Sequence, residues 1–448
     1  MDTPIYDFVK EYQKKGAVRL HMPGHKGRPF LGCELFDITE IKGADDLYHP
    51  QGIIKQSEDN ATQLFGSRRT FYTTGGSSQS IGAMVYLAML HSKKRQDKQK
   101  ILAARNAHKA FLHACALLDL NVQWVYPQQE TTLCACPILP KQLDEILGSL
   151  EILPFAFYIT SPDYLGGMAD IMGLSEVCKK YGVPLLVDNA HGAYLRFLQP
   201  SLHPLDLGAD MCCDSAHKTL PVLTGGGYLH VSKSALESFQ EDGKKALSLF
   251  GSTSPSYLIL QSLDLCNRAL AEGYGDRILA CQRDIDLLAL KLHKKGYALH
   301  HVEPLKLVIQ SGKMGILGHD LAERLRKSGI EVEFADADHL VFMFTPENKA
   351  SDFELAEDAL EPVISQGVKA PRTVLPSRGE QVMSIRQAMF AKRCSALTQQ
   401  SLGRICATPV VSCPPAIPIA ISGERITQEM IDLFFLYGIE EIDVVVEE

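Results

Sequence analysis

Apolar residues recur along this chain with two spacings, one typical of helices and one typical of strands. Helical spacing begins over residues 4–16, where Gly16 ends the predicted helix. From residue 55 to residue 231, short apolar runs alternate with longer apolar segments. This alternation predicts an α/β fold in which helices cover both faces of a mainly parallel sheet.

The predicted strands are short apolar runs, several of which lead directly into polar motifs. They cover residues 70–73, 100–104, 122–126, 156–160, 184–188, 209–215 and 227–231. The helices predicted among them cover residues 54–65, 81–91 and 174–181, with a further apolar helix that ends at Leu118. Since ligands of open parallel sheets bind beyond the carboxyl ends of the strands, we expect the functional site there.

The chain beyond residue 255 predicts a smaller α+β region. Its predicted elements are one or two long helices over residues 255–295, strands at 305–310 and 339–344, and helices at 317–327 and 426–437. Residues 371–379 predict a loop, and prolines keep residues 410–421 extended. The predicted domains are an N-terminal helix with loops (1–54), a large domain (55–260) and a C-terminal domain (261–448).

The overall composition is that of a globular protein, with 448 residues of which 46% are hydrophobic and 22% charged. A net charge of −8 argues against a nucleic-acid partner, because phosphate binding needs a basic surface. No apolar run approaches the roughly 20 residues of a membrane span, and the N-terminus lacks the features of a secretory signal. The twelve cysteines include no Cys-x-x-Cys pair, so they predict buried thiols and a cytoplasmic location rather than a metal site.

Lys218 follows the apolar strand that ends near Cys213 and precedes the glycine run Gly225–Gly227. An ammonium group at the end of a buried strand is costly, and that cost is expected to lower its pKa. A neutral lysine amine is the group that forms a Schiff base with an aldehyde. A solvated surface lysine is the commoner alternative, so the other strand-end motifs decide between the two.

Further polar motifs lie at the other predicted strand ends. Residues 76–78, Gly-Ser-Ser, precede a helix and can either cradle a phosphate or cap that helix. Asp188 ends a buried strand, where its carboxylate should face a cation such as a protonated ring nitrogen. His108 and His191 complete the set, although each alone is more typical of a structural histidine. Together these groups are what pyridoxal phosphate requires of a protein.

The chain resembles the Orn/Lys/Arg decarboxylase family, the bacterial basic amino-acid decarboxylases. The resemblance is carried by residues 20–27, 45–47, 52–55, 105–109, 187–192, 215–218, 252–255, 403–405 and 414–418. It implies an aspartate-aminotransferase-like large domain (the fold type I of pyridoxal phosphate enzymes) with a smaller C-terminal α+β domain.

The resemblance also implies roles for individual residues. Lys218 is expected to bind the cofactor aldehyde, Asp188 to contact the pyridinium nitrogen and His108 to stack on the ring, with His191 as a further catalytic residue. The implied cofactor-binding residues are Gly76, Ser77, Ser78, His108, Asp188, His191, Ser215, His217, Lys218 and Thr253, with Ser77, Ser78, Ser215 and His217 around the phosphate. Thr253 is expected to act across the interface of a homodimer in which the neighbouring subunit completes the active site.

The implied function is decarboxylation of a basic L-amino acid (arginine, lysine or ornithine) to the amine and CO₂, a step of polyamine biosynthesis. An aminotransferase or lyase on the same cofactor, or a divergent relative of low activity, are the alternatives. Candidate acids for the substrate side chain are Asp45 and Asp46, in a polar loop that is either a surface connection or a wall of the site, and Glu424. Arg386 is the candidate for the substrate carboxylate, with a salt bridge as its alternative.

The chain departs from the family pattern at three places. It has no N-terminal receiver-like wing, so we expect the short form of the enzyme and no decamers. Gly225–Gly227 stands where the family more often has a glutamine and serines, and is expected to widen the pocket and shift substrate preference. Ala416 stands where the family usually has glycine.

Overall fold

Seven short strands build the largest sheet of the computed structural model, which describes residues 1–91, 100–128, 131–363, 378–411 and 416–446. These strands are β1 (Arg69–Thr73), β2 (Lys100–Ala104), β3 (Asn121–Val125), β4 (Phe157–Thr160), β5 (Leu185–Asp188), β6 (Met211–Asp214) and β7 (Gly227–Val231). Their order is β1-β7-β6-β5-β4-β2-β3. The predicted mainly parallel sheet is confirmed, and each predicted strand agrees with the observed one to within about two residues.

Helices alternate with these strands as the apolar pattern predicts. They are α1 (Pro4–Lys14), α2 (Ile53–Phe65), α3 (Gly76–His91), α4 (Lys109–Leu118), α5 (Pro140–Ser149), α6 (Ile171–Tyr181), α7 (Ala216–Thr219), α8 (Glu237–Glu241), α9 (Gly243–Leu249), α10 (Tyr257–Ala269) and α11 (Gly275–Lys294). The predicted start of α3 at residue 81 is wrong, because the polar residues from Gly76 onward form its first turns. Helix α5 is not among the predicted elements, although Pro140 in its first turn and the buried pair Leu143 and Leu147 are signals of it.

The C-terminal region has a smaller antiparallel sheet and two strand pairs. Its strands are β8 (Leu299–His300), β9 (Lys306–Ile309), β10 (Phe334–Ala335), β11 (Leu340–Met343), β12 (Arg393–Leu397), β13 (Val410–Val411), β14 (Pro418–Ala420) and β15 (Glu441–Val445). Its helices are α12 (Gly318–Lys327), α13 (Ala350–Ala359), α14 (Ile385–Phe390) and α15 (Gln428–Leu436). The sheet order is β10-β11-β9-β8, while β12 pairs with β15 and β13 with β14. Most of the loop predicted over residues 371–379 lies outside the described residues.

The chain divides into two compact units, each made of several separate segments. The first comprises residues 1–98, 151–158 and 171–277, and the second comprises residues 99–150, 159–170 and 278–448. In the first unit, every residue of β5 and β6 is buried. In the second, β9, β11, β14 and α15 contribute to one apolar core. The predicted domain boundaries at residues 54 and 260 stay predictions.

Strand direction in the first unit places three chain turns at one edge of the sheet. β5 and β6 pair in parallel, so they end on the same side. β1 and β6 both pair antiparallel to β7 and therefore point in the same direction. The residues that follow β1, β5 and β6 consequently meet at the carboxyl edge. Within the described residues, no helix has the length and apolar character that a membrane span needs.

Candidate active site

Lys218 lies on α7, a single helical turn that begins two residues after the end of β6. Every residue of β6 is buried, and this strand fixes the position of the turn. Lys218 on that turn is only half-buried, so its side chain is partly accessible. The Nζ atom of Lys218 lies 3.0 Å from Nε2 of His191. His191 itself is 5% exposed and follows β5, the strand beside β6. The two predicted catalytic residues are therefore hydrogen-bonded to each other.

Asp188 is the last residue of β5, and its carboxylate is surrounded by donors. The Tyr158 hydroxyl donates to Oδ2 at 2.9 Å, and the Ala190 backbone N–H donates to Oδ1 at 3.2 Å. Burial raises the pKa of Asp188, while the Tyr158 hydrogen bond and the charge of Lys218 act in the opposite direction. Such a carboxylate gains from a positively charged partner, as a protonated ring nitrogen provides.

The turn after β1 and the turn after β6 together form an anion cradle. Ser77 lies in the first turn of α3, where backbone N–H groups have no partner within the helix. The Ser215 hydroxyl donates to Ser77 Oγ at 2.8 Å. The ring of His217 is fixed by a hydrogen bond of 3.0 Å from Nδ1 to the Gly226 carbonyl. Ser78, in the same first turn, is exposed.

His108 belongs to the second unit and lies just after β2. It is the N-cap of α4, because its Nδ1 accepts the Ala110 backbone N–H at 3.1 Å. The ring is thereby held in one orientation at the carboxyl end of a strand, half-buried. The expected stacking of His108 on a cofactor ring stays a prediction.

Comparison with known proteins identifies the family. The family model of the Orn/Lys/Arg decarboxylase major domain matches residues 3–289. The chain belongs to the Orn/Lys/Arg decarboxylase family. An arginine decarboxylase of Bacillus subtilis (strain 168) is 30% identical over 468 residues, covering 97% of this chain and 93% of that protein. An uncharacterized protein of the same strain is also 30% identical, covering 96% of this chain and 93% of its own length.

A solved structure confirms the predicted fold. The lysine decarboxylase of Francisella novicida superposes with a TM-score of 0.79 at 18% identity, covering 99% of this chain and 81% of that one. The predicted fold class, with its large and mainly parallel sheet, is therefore confirmed. At the level of the family, the enzyme class (an amino-acid decarboxylase, or carboxy-lyase) and the cofactor pyridoxal 5'-phosphate are confirmed as well.

The residues of the first unit fit this cofactor. The cradle of residues 76–78 and Ser215 suits its phosphate, since N–H and hydroxyl donors surround a helix N-terminus. Asp188 offers a buried carboxylate to the ring nitrogen, and Lys218 offers an amine to the aldehyde. The individual cofactor assignments all stay predictions that this arrangement supports: Gly76, Ser77, Ser78, Asp188, His191, Ser215, His217 and Lys218.

The space around the glycine run is filled by neighbouring atoms, which corrects the expected wider pocket. Gly225 has a φ of +95°, and a Cβ atom there would lie 2.9 Å from the Thr74 carbonyl oxygen. A Cβ atom on Gly227 would lie 2.8 Å from the Asp214 carbonyl oxygen. The space beside these glycines is filled by backbone, so they bring two turns together and open no pocket. Gly76 contributes to the same contact by donating its N–H to the Gly225 carbonyl at 2.8 Å.

The candidate acid Asp45 is a structural residue, which corrects its proposed role in holding a substrate side chain. It is 8% exposed, and its carboxylate caps the start of α2. It accepts backbone N–H groups from Asp46, Gln51, Gly52, Ile54 and Lys55. Asp46 is similarly occupied, since its Oδ1 accepts the N–H groups of Tyr48 and His49.

Arg386 and Glu424 lie in the second unit and are also held by backbone groups. Arg386 donates to the carbonyls of Ala116 and Leu117, the last turn of α4, so it caps a helix. This corrects its candidacy as the ligand of a substrate carboxylate. Glu424 is 2% exposed and accepts the Ile421 N–H at 2.9 Å. Burial raises the pKa of Glu424, against the charge of Arg105.

Tyr158 supports the site and was not among the residues predicted from the sequence, whereas Thr253 was. Tyr158, which orients Asp188, is fully buried within an apolar strand. Its signal was available, because a buried tyrosine hydroxyl needs a partner. Thr253 is exposed in the single chain, next to Ser252, whose carbonyl accepts the Tyr48 hydroxyl at 3.1 Å. Its action across a subunit interface stays a prediction.

Proposed function

We propose that this protein catalyses the pyridoxal-phosphate-dependent decarboxylation of a basic L-amino acid, with arginine as its first substrate. The observation that carries the proposal is the meeting of Lys218, Asp188 and the α3 N-terminus at one edge of the sheet. Arginine is favoured over lysine and ornithine because the relatives named arginine decarboxylase match over more than 90% of this chain.

In this reaction, different side chains of the protein have different roles. When bound, pyridoxal phosphate would supply an acceptor for the electron pair that remains as CO₂ leaves. Asp188 holds the proton on the ring nitrogen, and its carboxylate is oriented by Tyr158 and Ala190. The cradle of Ser77 and Ser215 would anchor the phosphate, so that the position of the ring is fixed at the phosphate and at Asp188.

Proton return is assigned to the pair formed by Lys218 and His191. Once CO₂ has left, the substrate Cα needs one proton to give the amine. The 3.0 Å hydrogen bond between Lys218 Nζ and His191 Nε2 lets one proton pass between these atoms. Either group can therefore deliver it and be reprotonated by the other.

A homodimer with its active site at the subunit interface is part of the proposal. Within residues 18–31, Val18, Leu20, Met22, Phe30 and Leu31 are each at least 70% exposed in the single chain. Apolar side chains gathered in this way mark an interaction surface. Thr253 is exposed as well, as a residue that acts in the neighbouring subunit must be. A cytoplasmic location is supported by the described cysteines, which are free thiols.

The test is a release assay with purified protein, pyridoxal phosphate and each of arginine, lysine and ornithine. We expect CO₂ and the corresponding amine, fastest with arginine. The variant Lys218→Ala should release none, while Lys233→Ala, an exposed lysine of the same unit, should match the wild type. Absence of CO₂ from all three substrates would overturn the proposal. Transfer of the amino group to an α-keto acid would instead point to an aminotransferase.

A further inference from the structure

A buried carboxylate with two histidines lies directly behind the lysine turn. Asp214, His203 and His230 are each fully buried. Oδ2 of Asp214 lies 3.1 Å from Nε2 of His203 and 3.1 Å from Nε2 of His230. The other oxygen, Oδ1, accepts the side-chain N–H of Asn189 at 2.7 Å.

The carboxylate is held as an anion by this set of donors. Burial opposes the charged form, but His203 and His230 outweigh it and lower the pKa of Asp214. Burial also lowers the pKa of His230, against the charge of Asp214. Its other nitrogen, Nδ1, is hydrogen-bonded to Thr70 Oγ1 at 2.8 Å. A buried charge is tolerated only when its lone pairs are satisfied in this way.

The same three side chains have the composition of a metal site, and the hydrogen bonds decide against that role. Their ligand atoms lie within 4.8 Å of one another. A histidine nitrogen must be unprotonated to bind a metal. Nδ1 of His203 accepts the Leu205 backbone N–H at 3.4 Å, so Nε2 carries the proton that is donated to Asp214. His203 is therefore a hydrogen-bond donor.

Asp214 connects the two turns that carry the candidate catalytic residues. It is the last residue of β6 and directly precedes Ser215, whose hydroxyl donates to the Ser77 cradle. Its partner Asn189 directly follows Asp188, and the Asn189 backbone N–H donates to the Cys213 carbonyl at 3.0 Å. One carboxylate thus joins the turn after β5 to the turn after β6.

We propose that Asp214 is a positioning residue for the cofactor, which sets the spacing between the Asp188 turn and the Lys218 turn. The inference rests on the proposed function, because the spacing matters only if one ring contacts both residues. Ser77 and Ser215 would hold the phosphate of the cofactor, Asp188 its ring nitrogen and Lys218 its aldehyde. A shift of about 1 Å between the two turns would spoil one of these contacts.

The first variant is Asp214→Asn. Its amide nitrogen would replace one oxygen that now accepts hydrogen bonds from His203, His230 or Asn189. We expect about tenfold weaker binding of pyridoxal phosphate and about 100-fold lower kcat. We also expect the visible absorbance band of the bound cofactor to titrate at a different pH, which a loss of stability alone does not cause.

The matched control is Asp210→Asn. Asp210 precedes the same strand at its other end and accepts the Leu185 N–H at 2.8 Å. It should leave cofactor affinity and the pH titration of the band unchanged, because the amide oxygen can still accept the Leu185 N–H. The inference is overturned if the two variants behave alike, or if stoichiometric metal is found in the purified wild type. A wild type that binds no pyridoxal phosphate would overturn the proposed function instead.

If Asp214→Asn does not fold, two variants of His230 test the same inference. His230→Gln keeps an N–H donor toward Asp214, and His230→Leu removes it. We expect His230→Gln to retain the wild-type titration of the band and His230→Leu to reproduce the shift expected for Asp214→Asn. Equal titrations in both His230 variants would overturn the inference.

Discussion

Nζ of Lys218 and Nε2 of His191 are 3.0 Å apart, although the two residues are contributed by different strands. The contact depends on the parallel pairing of β5 and β6, which brings both carboxyl ends to one edge. It also gives the lysine a partner whose ring nitrogen can accept or donate a hydrogen bond.

Replacing His191 tests that partnership. We expect His191→Asn to lower kcat by about 100-fold, because Lys218 then lacks its proton partner. Binding of pyridoxal phosphate should persist, since the cradle and Asp188 are unchanged. Rates come from CO₂ release and binding from the visible absorbance band. His49→Asn, at an exposed histidine of the same unit, is the control, and an unchanged kcat in His191→Asn would contradict the prediction.

Gly225 provides a test of the contact between the glycine run and the cradle. Gly225→Ala places a Cβ atom 2.9 Å from the Thr74 carbonyl oxygen, so the turn before α3 must move. We expect a loss of about 2 kcal/mol in the free energy of unfolding and weaker binding of pyridoxal phosphate. Gly182→Ala has a similar positive φ, +63°, with nothing within 4 Å, and therefore isolates the backbone strain. If both variants bind the cofactor equally, the contact does not support the cradle.

Ala416 is a non-glycine residue in the left-handed region, with a φ of +57°. An L-residue there costs about 1 kcal/mol more than glycine. We therefore expect Ala416→Gly, which restores the residue usual in the family, to raise the free energy of unfolding by about 1 kcal/mol in urea titrations. Ala407→Gly, at a buried position without positive φ, should lower it. Destabilisation by both substitutions would contradict the strain at Ala416.

Asp264 on α10 predicts a pH dependence of stability. Burial raises the pKa of Asp264 to about 6, although Ser57 and the N–H groups of Ile5 and Tyr6 donate to it. In the unfolded chain the pKa of this carboxyl is about 3.9. The folded state therefore binds the proton more tightly, and the free energy of unfolding falls as the pH rises from about 4 to about 6.

The variant Asp264→Asn removes this titration. Its amide oxygen can still accept from Ile5 and Tyr6, and its N–H can donate to Ser57. Between pH 4 and pH 7 we expect the variant to gain on the order of 2 kcal/mol relative to the wild type. Urea unfolding at each pH measures the difference. Parallel pH profiles for the two proteins would rule out Asp264 as the source.

The residues at the ends of β5 and β6 could be predicted because these two strands are apolar until each ends in an aspartate. Asp188 and Lys218 were found for that reason. Asp45 was misassigned because a carboxylate that caps a helix and one that binds a substrate look alike in sequence. The proposed role of Asp214 could not be predicted from the sequence, since its partner His230 becomes a neighbour only when β7 pairs with β6.

The position of β7 in the sheet has a consequence for the folding of the chain. Apart from Thr253, the first-unit residues assigned to the cofactor all precede Gly227, the first residue of β7. During synthesis, most of the site is therefore made before β7. β7 nevertheless lies between β1 and β6 and pairs with both, so β1 is joined to the rest of the sheet through β7. We therefore expect the chain to bind its cofactor only after β7, which carries none of the residues assigned to the cofactor, has paired with β1 and β6. The Ser215–Ser77 hydrogen bond then joins residues that are 138 apart in the sequence.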